Sequence, residues 1–361
     1  MCGIYGQVNK NKNKSVDKGL FVESLNTLEK RGPDSSGTYF EENIGLGHRR
    51  LSIVDLSERG NQPMFSEDGE IGIVFNGEIY NYIDIKEELG NKYQWKSRSD
   101  TEVLINAYRE WGQRGLLERL EGMFVFALYD KRNNIINFAR DHFGKKPLYY
   151  YLDDETFFFA SELKAIINNP EVKRKVQVDK LSLSKFLFYG YVPSPNSIFD
   201  KIKKLEPSTT FQFDIKNWKI VNKYQYWNLE NVDLNTGLEE EQILDKTEDL
   251  IKKATKKRLM SDVPLGIFLS GGVDSSLIAA YLSQFSKDTN SFTVCYKGHS
   301  TADESVYAER VAKKLGIKYN LCYFEDRMVE ESFLEMMNYL DEPLADAAVI
   351  PLYFISKFAK N

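Results

Sequence analysis

Runs dominated by β-branched and aromatic residues recur through the first part of the chain. GIYGQV, IGLGHRRLSIV, GIVFNGEIY, FVFALYD, IINFARD, PLYYYL and TFFFAS each predict a strand. Two stretches break the series with helical spacing. One is Val22 to Leu28; the other is Thr101 to Trp111, where Val103, Leu104, Ala107 and Tyr108 share a face. Many strands with segregated helices predict a layered α+β domain. From Leu181 to Glu230 the pattern is mixed, with turn chemistry in VPSPNS and LEPSTT and a strand in TTFQFDI. A polar start at Leu238 to Glu241 then leads a helix to about Lys257. Beyond it the chain alternates GIFLS, helix, SFTVCY, helix, KYNLCYF, helix, the order expected of a parallel sheet with crossover helices.

Length and composition narrow the class. A chain of 361 residues is long for one core, so two domains are expected. With 42% hydrophobic and 28% charged residues the composition is that of a globular protein. A net charge of −5 and short, interrupted lysine runs at Lys10–Lys14 and Lys201–Lys204 give no expectation of nucleic-acid binding. There is no signal-peptide pattern and no apolar stretch of membrane-spanning length, so a cytoplasmic location is expected. Three cysteines, Cys2, Cys295 and Cys322, make neither a disulfide framework nor a zinc pattern. Cys295 and Cys322 fall in strand patterns, as buried fillers would.

Cys2 is different. Removal of Met1 would leave a thiol and a free α-amine on one residue, and an α-amine with a pKa of roughly 7.7–8.0 can serve as the base for the thiol beside it. Three other segments supply what such a nucleophile needs. FNGEIYN offers Asn76 and Gly77, a side-chain amide and a backbone N–H for an oxyanion. HRRLSIVD offers Arg50, a planar cation suited to a carboxylate. SRSDTE offers Asp100, an anion suited to an ammonium. Each also has a bland reading, as hairpin turn, surface charge or helix cap. Together they fit an amino-acid amide such as glutamine.

PLGIFLSGGVDSSLIAAYL reads as a strand, a tight turn and a helix. Glycines Gly271 and Gly272 let the backbone approach an anion at the helix N-terminus, where Ser270, Ser275 and Ser276 can donate to it. The lysine of a GxxxxGK[ST] phosphate loop is absent.

These motifs carry a resemblance. MCGI, RGPDSSG, HRRLSIVD, FNGEIYNY, SDTEVL, GMFVFALYD, RDHFGKKPLYY and FFFASELKAI look like the glutaminase domain of glutamine-dependent asparagine synthetases, and SGGVDSS looks like their synthetase domain. The resemblance implies an α+β N-terminal-nucleophile glutaminase sandwich (αββα) over residues 2–215, a linker at 216–240, and an incomplete α/β parallel-sheet ATP-pyrophosphatase-type (PP-loop) domain over 241–361. It implies that Cys2 attacks glutamine, that Asn76 and Gly77 form the oxyanion hole, and that Arg50, Leu51, Ser52, Ile53 and Val54 line the pocket with Arg50 on the α-carboxylate. Glu78 and Asp100 would hold the α-amine. For ATP it implies Leu269, Ser270, Gly271, Gly272, Asp274, Ser275, Ser276 and Val294, with Asp274 holding Mg²⁺ through the phosphates. Aspartate is the implied acceptor and a homodimer the implied assembly. Family members continue past Asn361 with a strand and a Gly-Asp-Glu-rich loop, so the second domain is expected to be truncated. A related enzyme amidating another carboxylate, such as a surface-polysaccharide precursor, and a glutaminase-only or non-synthetic remnant are the alternatives.

Overall fold

The computed structural model describes residues 1–232, 237–296 and 303–360. The chain divides into two units, Met1–Asp233 with Asp341–Leu344, and Leu234–Leu340 with Ala345–Asn361.

The first unit holds twelve strands: β1 (Gly3–Asn9), β2 (Ser35–Glu41), β3 (Ile44–Arg50), β4 (Met64–Phe65), β5 (Ile71–Ile79), β6 (Gly122–Asp130), β7 (Ile135–Arg140), β8 (Tyr149–Leu152), β9 (Thr156–Ala160), β10 (Ile202–Lys204), β11 (Thr209–Asp214) and β12 (Lys219–Gln225). Its helices are α1 (Lys18–Asn26), α2 (Tyr82–Leu89), α3 (Asp100–Leu117), α4 (Leu163–Ile167), α5 (Pro170–Lys175) and α6 (Lys180–Tyr189). Two six-stranded sheets result, ordered β10-β8-β9-β1-β3-β2 and β12-β11-β7-β6-β5-β4.

Strand periodicity explains the layers. In β1, Ile4 and Val8 point into a core shared with Val74, Val125, Phe138 and Phe211 of the other sheet. Tyr5 points the opposite way, against Phe21 and Leu25 of α1 and Leu163 and Ile166 of α4. On the far face of the second sheet, Phe75, Phe124 and Phe126 meet Ile85, Leu89, Val103 and Leu104 of α2 and α3. The layering is helix, sheet, sheet, helix, as the resemblance implies. Sheets covered on both faces have nearly continuous apolar strands, and β1 is buried at every position.

Several boundaries differ from the sequence reading. The first helix is Lys18–Asn26, not Val22–Leu28, because Asp17 caps it by accepting the Leu20 N–H at 3.1 Å. The expected Thr101–Trp111 helix runs from Asp100 to Leu117 across a break at Gly112, whose φ is 65°. The strand expected through IGLGHRRLSIV stops at Arg50, where the chain turns into the site. Segment 216–240, read as a linker, contains β12, which pairs with β11 through Phe213–Ile220. Its polar, lysine-bearing sequence is that of an edge strand and so lacks the usual apolar signature. Residues 233–236 of that segment lie outside the described residues.

The second unit contains α7 (Glu240–Lys257), β13 (Gly266–Phe268), α8 (Val273–Phe285), β14 (Asn290–Tyr296), α9 (Ser305–Leu315), β15 (Lys318–Phe324), α10 (Asp326–Met337) and α11 (Val349–Lys360). Its three strands form a parallel sheet in the order β13-β14-β15, matching the expected alternation. Cys295 and Cys322 are buried on neighbouring strands, neither of them in a disulfide. No helix among the described residues is long and apolar enough to cross a membrane.

Candidate active site

β1 and β3 are antiparallel with Gly3 opposite Arg49, so Cys2 and Arg50 come together at the strand ends. They line a cavity of about 400 Å³ with Leu51, Ile53, Val54, Asn76, Gly77, Glu78 and Asp100. The structure thus collects into one pocket the thiol, cation, amide and anion picked out from four separate segments. Ser52 is the exception among the expected lining residues; its N–H turns to Asp34 Oδ2 at 2.7 Å.

Cys2 is held by its neighbours on both sides. The Leu51 N–H donates to Sγ at 3.5 Å, and Arg31 Nε donates to the Cys2 carbonyl at 3.0 Å. Arg31 is itself paired with Glu162 at 2.9 Å. Burial pushes the Cys2 thiol up from its usual value, and the Leu51 hydrogen bond pulls it back. The amine of Met1 is also covered, and burial pulls it down from 8.0 to about 6.

The backbone of β5 makes the second half of the site. Phe124, opposite Gly77 in the register, sends its N–H to Asp141 Oδ2 and accepts the Asp141 N–H on its carbonyl. Gly77 therefore forms a non-hydrogen-bonded pair with it and directs its own N–H outward. The outward N–H groups on either side are taken: Phe75 donates to Gln62 Oε1 at 2.7 Å and Ile79 to Asp100 Oδ2 at 3.0 Å. Between them the Gly77 N–H has no partner among the described residues. A Cβ at Gly77 would lie 2.3 Å from the Met123 carbonyl oxygen, so the position admits only glycine. Asn76 adds to this. Its side chain is buried, and neither its Oδ1 nor its Nδ2 has a hydrogen-bond partner. Buried amides are rarely left so.

Asp100 begins α3 and is 5% exposed. Burial pushes its carboxyl up to about 6, opposed by the Ile79 N–H and reinforced by the nearby charge of Glu78. Arg50 reaches the pocket with both terminal nitrogens engaged: Nη1 donates to the Ser57 carbonyl at 2.8 Å and Asn61 Oδ1 at 3.0 Å, and Nη2 to the carbonyls of Val54 and Asp55. It shapes the 54–61 loop as well as facing the cavity.

Sequence reasoning did not single out Gly60, Gln62, Thr101, Met123 or Lys146, which also line the pocket. Lys146 lies in RDHFGKKPLYY, is 3% exposed, and has its ammonium pulled down by burial. Its place in the pocket depends on the turn after β7, which no local pattern announces. His142 of the same motif is half-buried between the rings of Tyr226 and Trp227 and lies outside this cavity.

In the second unit Leu269, Ser270 and Val294 line a cavity of about 550 Å³ with Phe268, Phe292 and Leu352. Gly271 has φ 80°, and a Cβ there would lie 2.5 Å from the Ala308 nitrogen. Gly272 is the N-cap of α8. Ser270 and Ser275 are joined Oγ to Oγ at 2.9 Å, the Ser276 hydroxyl is buried without a partner, and Asp274 stands in the first turn. An unpartnered hydroxyl and a helix N-terminus fit a phosphate-bearing ligand. No cluster of three or more metal-ligating side chains occurs among the described residues, so a cation here would depend on Asp274 and on oxygens of the ligand.

Comparison with known proteins agrees with both halves. Residues 1–227 match the family described as glutamine amidotransferase domain, and residues 246–361 the family described as asparagine synthase. The chain is 36% identical over 364 residues to the glutamine-hydrolyzing asparagine synthetase 1 of Bacillus subtilis, covering 100% of this chain and 56% of that protein. It is 34% identical over 385 residues to the putative glutamine-hydrolyzing asparagine synthetase 2 of Methanocaldococcus jannaschii, covering 100% of this chain and 72% of that one. Among solved structures, a glutamine phosphoribosylpyrophosphate amidotransferase from B. subtilis aligns at 15% identity over 89% of this chain and 65% of that chain, with a TM-score of 0.45. So distant a likeness decides nothing here. The chain spans little more than half the length of the first of these curated relatives.

Proposed function

Because the chain belongs to the family of glutamine-hydrolysing asparagine synthetases, we propose that its first unit hydrolyses the side-chain amide of glutamine to glutamate and ammonia. The observation that carries this reading is the unpartnered Gly77 N–H and Asn76 amide in the same pocket as Cys2 Sγ.

Met1 is removed, and the bared Cys2 amine takes the thiol proton as Sγ attacks the amide carbon. An α-amine has an ordinary value of roughly 7.7–8.0, so a neutral fraction is available as base at neutral pH. The carbonyl electron pair moves onto oxygen, where Gly77 N–H and Asn76 Nδ2 donate to it. Collapse passes the proton to the leaving nitrogen, ammonia departs, and a γ-glutamyl thioester remains; water then frees glutamate and restores the thiol. Arg50 faces the substrate carboxylate, and Asp100 with Glu78 its ammonium. A reducing, cytoplasmic setting would keep Cys2 competent.

For the second unit we propose ATP as the occupant of the Leu269–Val294 cavity, with phosphates at Ser270–Ser276 and Mg²⁺, held at Asp274 through those phosphates, supplying neutralisation of their charge. In the whole family enzyme the β-carboxylate of aspartate would be adenylated with loss of pyrophosphate, and ammonia would displace AMP to give asparagine.

The glutaminase reading is tested by incubating the full chain with glutamine and assaying glutamate, with mass spectrometry of the N-terminus. Wild type is expected to begin at Cys2 and to hydrolyse glutamine, while Cys2→Ala is expected to be inert. A correctly processed chain without activity would overturn the proposal.

A further inference from the structure

Phe75, the residue before Asn76, is gripped through both of its backbone groups by buried side chains from elsewhere in the fold. Its N–H donates to Gln62 Oε1 at 2.7 Å, and its carbonyl lies 3.0 Å from His48 Nε2. His48 comes from β3, in the other sheet. A carbonyl can only accept, so Nε2 carries the proton and Nδ1 does not. Gln62 is anchored in turn by Nε2 donating to Thr101 Oγ1 at 3.1 Å. Two residues past Gly77, the Ile79 N–H is taken by Asp100, the neighbour of Thr101. The strand is thus fixed at Phe75 and at Ile79, and the two groups left without partners are the ones in between.

Packing alone does not account for His48. The residue is 1% exposed and its Nδ1 has no partner, a desolvation cost that an apolar side chain would not incur. Burial also pulls the imidazole down to about 3, so it stays neutral. A neutral donor with a fixed tautomer is suited to holding a carbonyl in place.

We infer that His48 and Gln62 are positioning residues that set the oxyanion hole of Gly77 and Asn76 by clamping Phe75 from both sides. The inference rests on the glutaminase reading. Neither residue touches the reacting atoms in this scheme; each acts through the backbone.

The test uses the full chain, glutamine as substrate, and the analogue in which an aldehyde replaces the side-chain amide. Addition of the Cys2 thiol to that aldehyde forms one C–S bond and moves the carbonyl pair onto oxygen, so its affinity reports on the oxyanion hole. Glutamate, which lacks this charge development, reports on ground-state binding. His48→Leu and Gln62→Met are each expected to lower kcat about 100-fold and to weaken aldehyde binding in parallel, with KM and glutamate inhibition changing far less than kcat. His48→Gln, which can present a donor near the Nε2 position, and Gln62→Glu, which keeps the acceptor, are expected to restore much of kcat. Unchanged kcat and aldehyde affinity in the folded Leu or Met variants would overturn the inference. So would a rise in KM and a loss of glutamate affinity as large as the loss of kcat, the mark of general disruption. Should His48→Leu not fold, Gln62→Met and the two conservative variants carry the same comparison. A processed wild type that fails to hydrolyse glutamine removes the underlying reading and this inference with it, whereas active wild type with indifferent variants removes the inference alone.

Discussion

A carboxyl group pushed up to about 6 sits where the proposed substrate carries an ammonium, and Asp100 therefore ties binding to pH. Its ordinary value is 3.8, so in the empty pocket it is protonated up to about pH 6. Between about pH 4 and 6 the unfolded chain ionises this group while the empty fold keeps it protonated, so its contribution to stability falls there, and a bound ammonium offsets the cost of the buried charge. KM for glutamine is expected to rise as pH falls through 6, and Asp100→Asn to show a high KM without that limb. Steady-state kinetics between pH 5 and 8 would check it; a limb that survives in Asp100→Asn assigns it elsewhere. Asn76→Ala acts on the other parameter, lowering kcat by roughly 10²–10³-fold with little change in KM. These residues were legible because their chemistry is out of keeping with their surroundings: a second-position thiol, an amide inside an apolar strand, an anion at a helix start. Gln62, Thr101 and Lys146 were not, since each matters through its reach across sheets or turns. Such reach is fixed by register, not by local sequence.

At the scale of elements, aromatic and β-branched runs disclosed eight of the twelve strands of the first unit in whole or part. β2 and β12 escaped because SSGTYFE and KIVNKYQ lie at sheet edges and carry polar residues there. β4 is two residues long, and β10 only three. The short helices α4 and α5 escaped for want of enough turns to show a period, and α6 escaped because its apolar residues do not gather on one buried face: Ser182 is its one buried residue. What the strands would contribute to the proposed function is stiffness behind the proposed oxyanion hole, and this depends on the core between the sheets. Phe138 is fully buried, stacks on Phe211 at 4.7 Å between ring centroids, and meets Phe159 and Phe157 edge-on. Phe138→Ala is expected to cost about 3–5 kcal/mol, read as a lower denaturant midpoint with unchanged slope. A loss below 1 kcal/mol would mean that the sheets collapse onto the gap.

At the scale of the molecule, the chain path crosses between units. After Leu340 the second unit yields four residues, Asp341–Leu344, to the first before resuming at Ala345. They complete it chemically. α4 has no side-chain cap from its own N-cap residue, Glu162; instead the Leu163 and Lys164 N–H groups donate to the Asp341 carboxylate. Glu342 accepts the Ile198 N–H at 2.7 Å and the Tyr149 hydroxyl at 3.0 Å and pairs with Lys204 at 2.5 Å. Nothing in the sequence reading marked these two carboxylates as partners of residues more than 130 positions away. Burial pushes Asp341 up from 3.8 to about 6, with the Lys164 and Leu163 N–H groups pulling back, Glu162 pushing further and Lys164 charge opposing it. Between those two values the folded chain binds more protons than the unfolded chain, so this group's contribution to stability falls as pH rises from about 4 to 6. Asp341→Asn is neutral throughout and lacks that dependence. The difference in unfolding midpoint, wild type minus Asp341→Asn, is therefore expected to shrink across that window when the full chain is melted at successive pH values. Asp341→Ala leaves two helix N–H groups without partners and is expected to lose a further 1–3 kcal/mol or so at every pH. A difference between wild type and Asp341→Asn that stays level from pH 4 to 6 would show that the Asp341 carboxyl titrates as a solvated group, and one that widens would show that the helix N–H groups outweigh burial and pull it down.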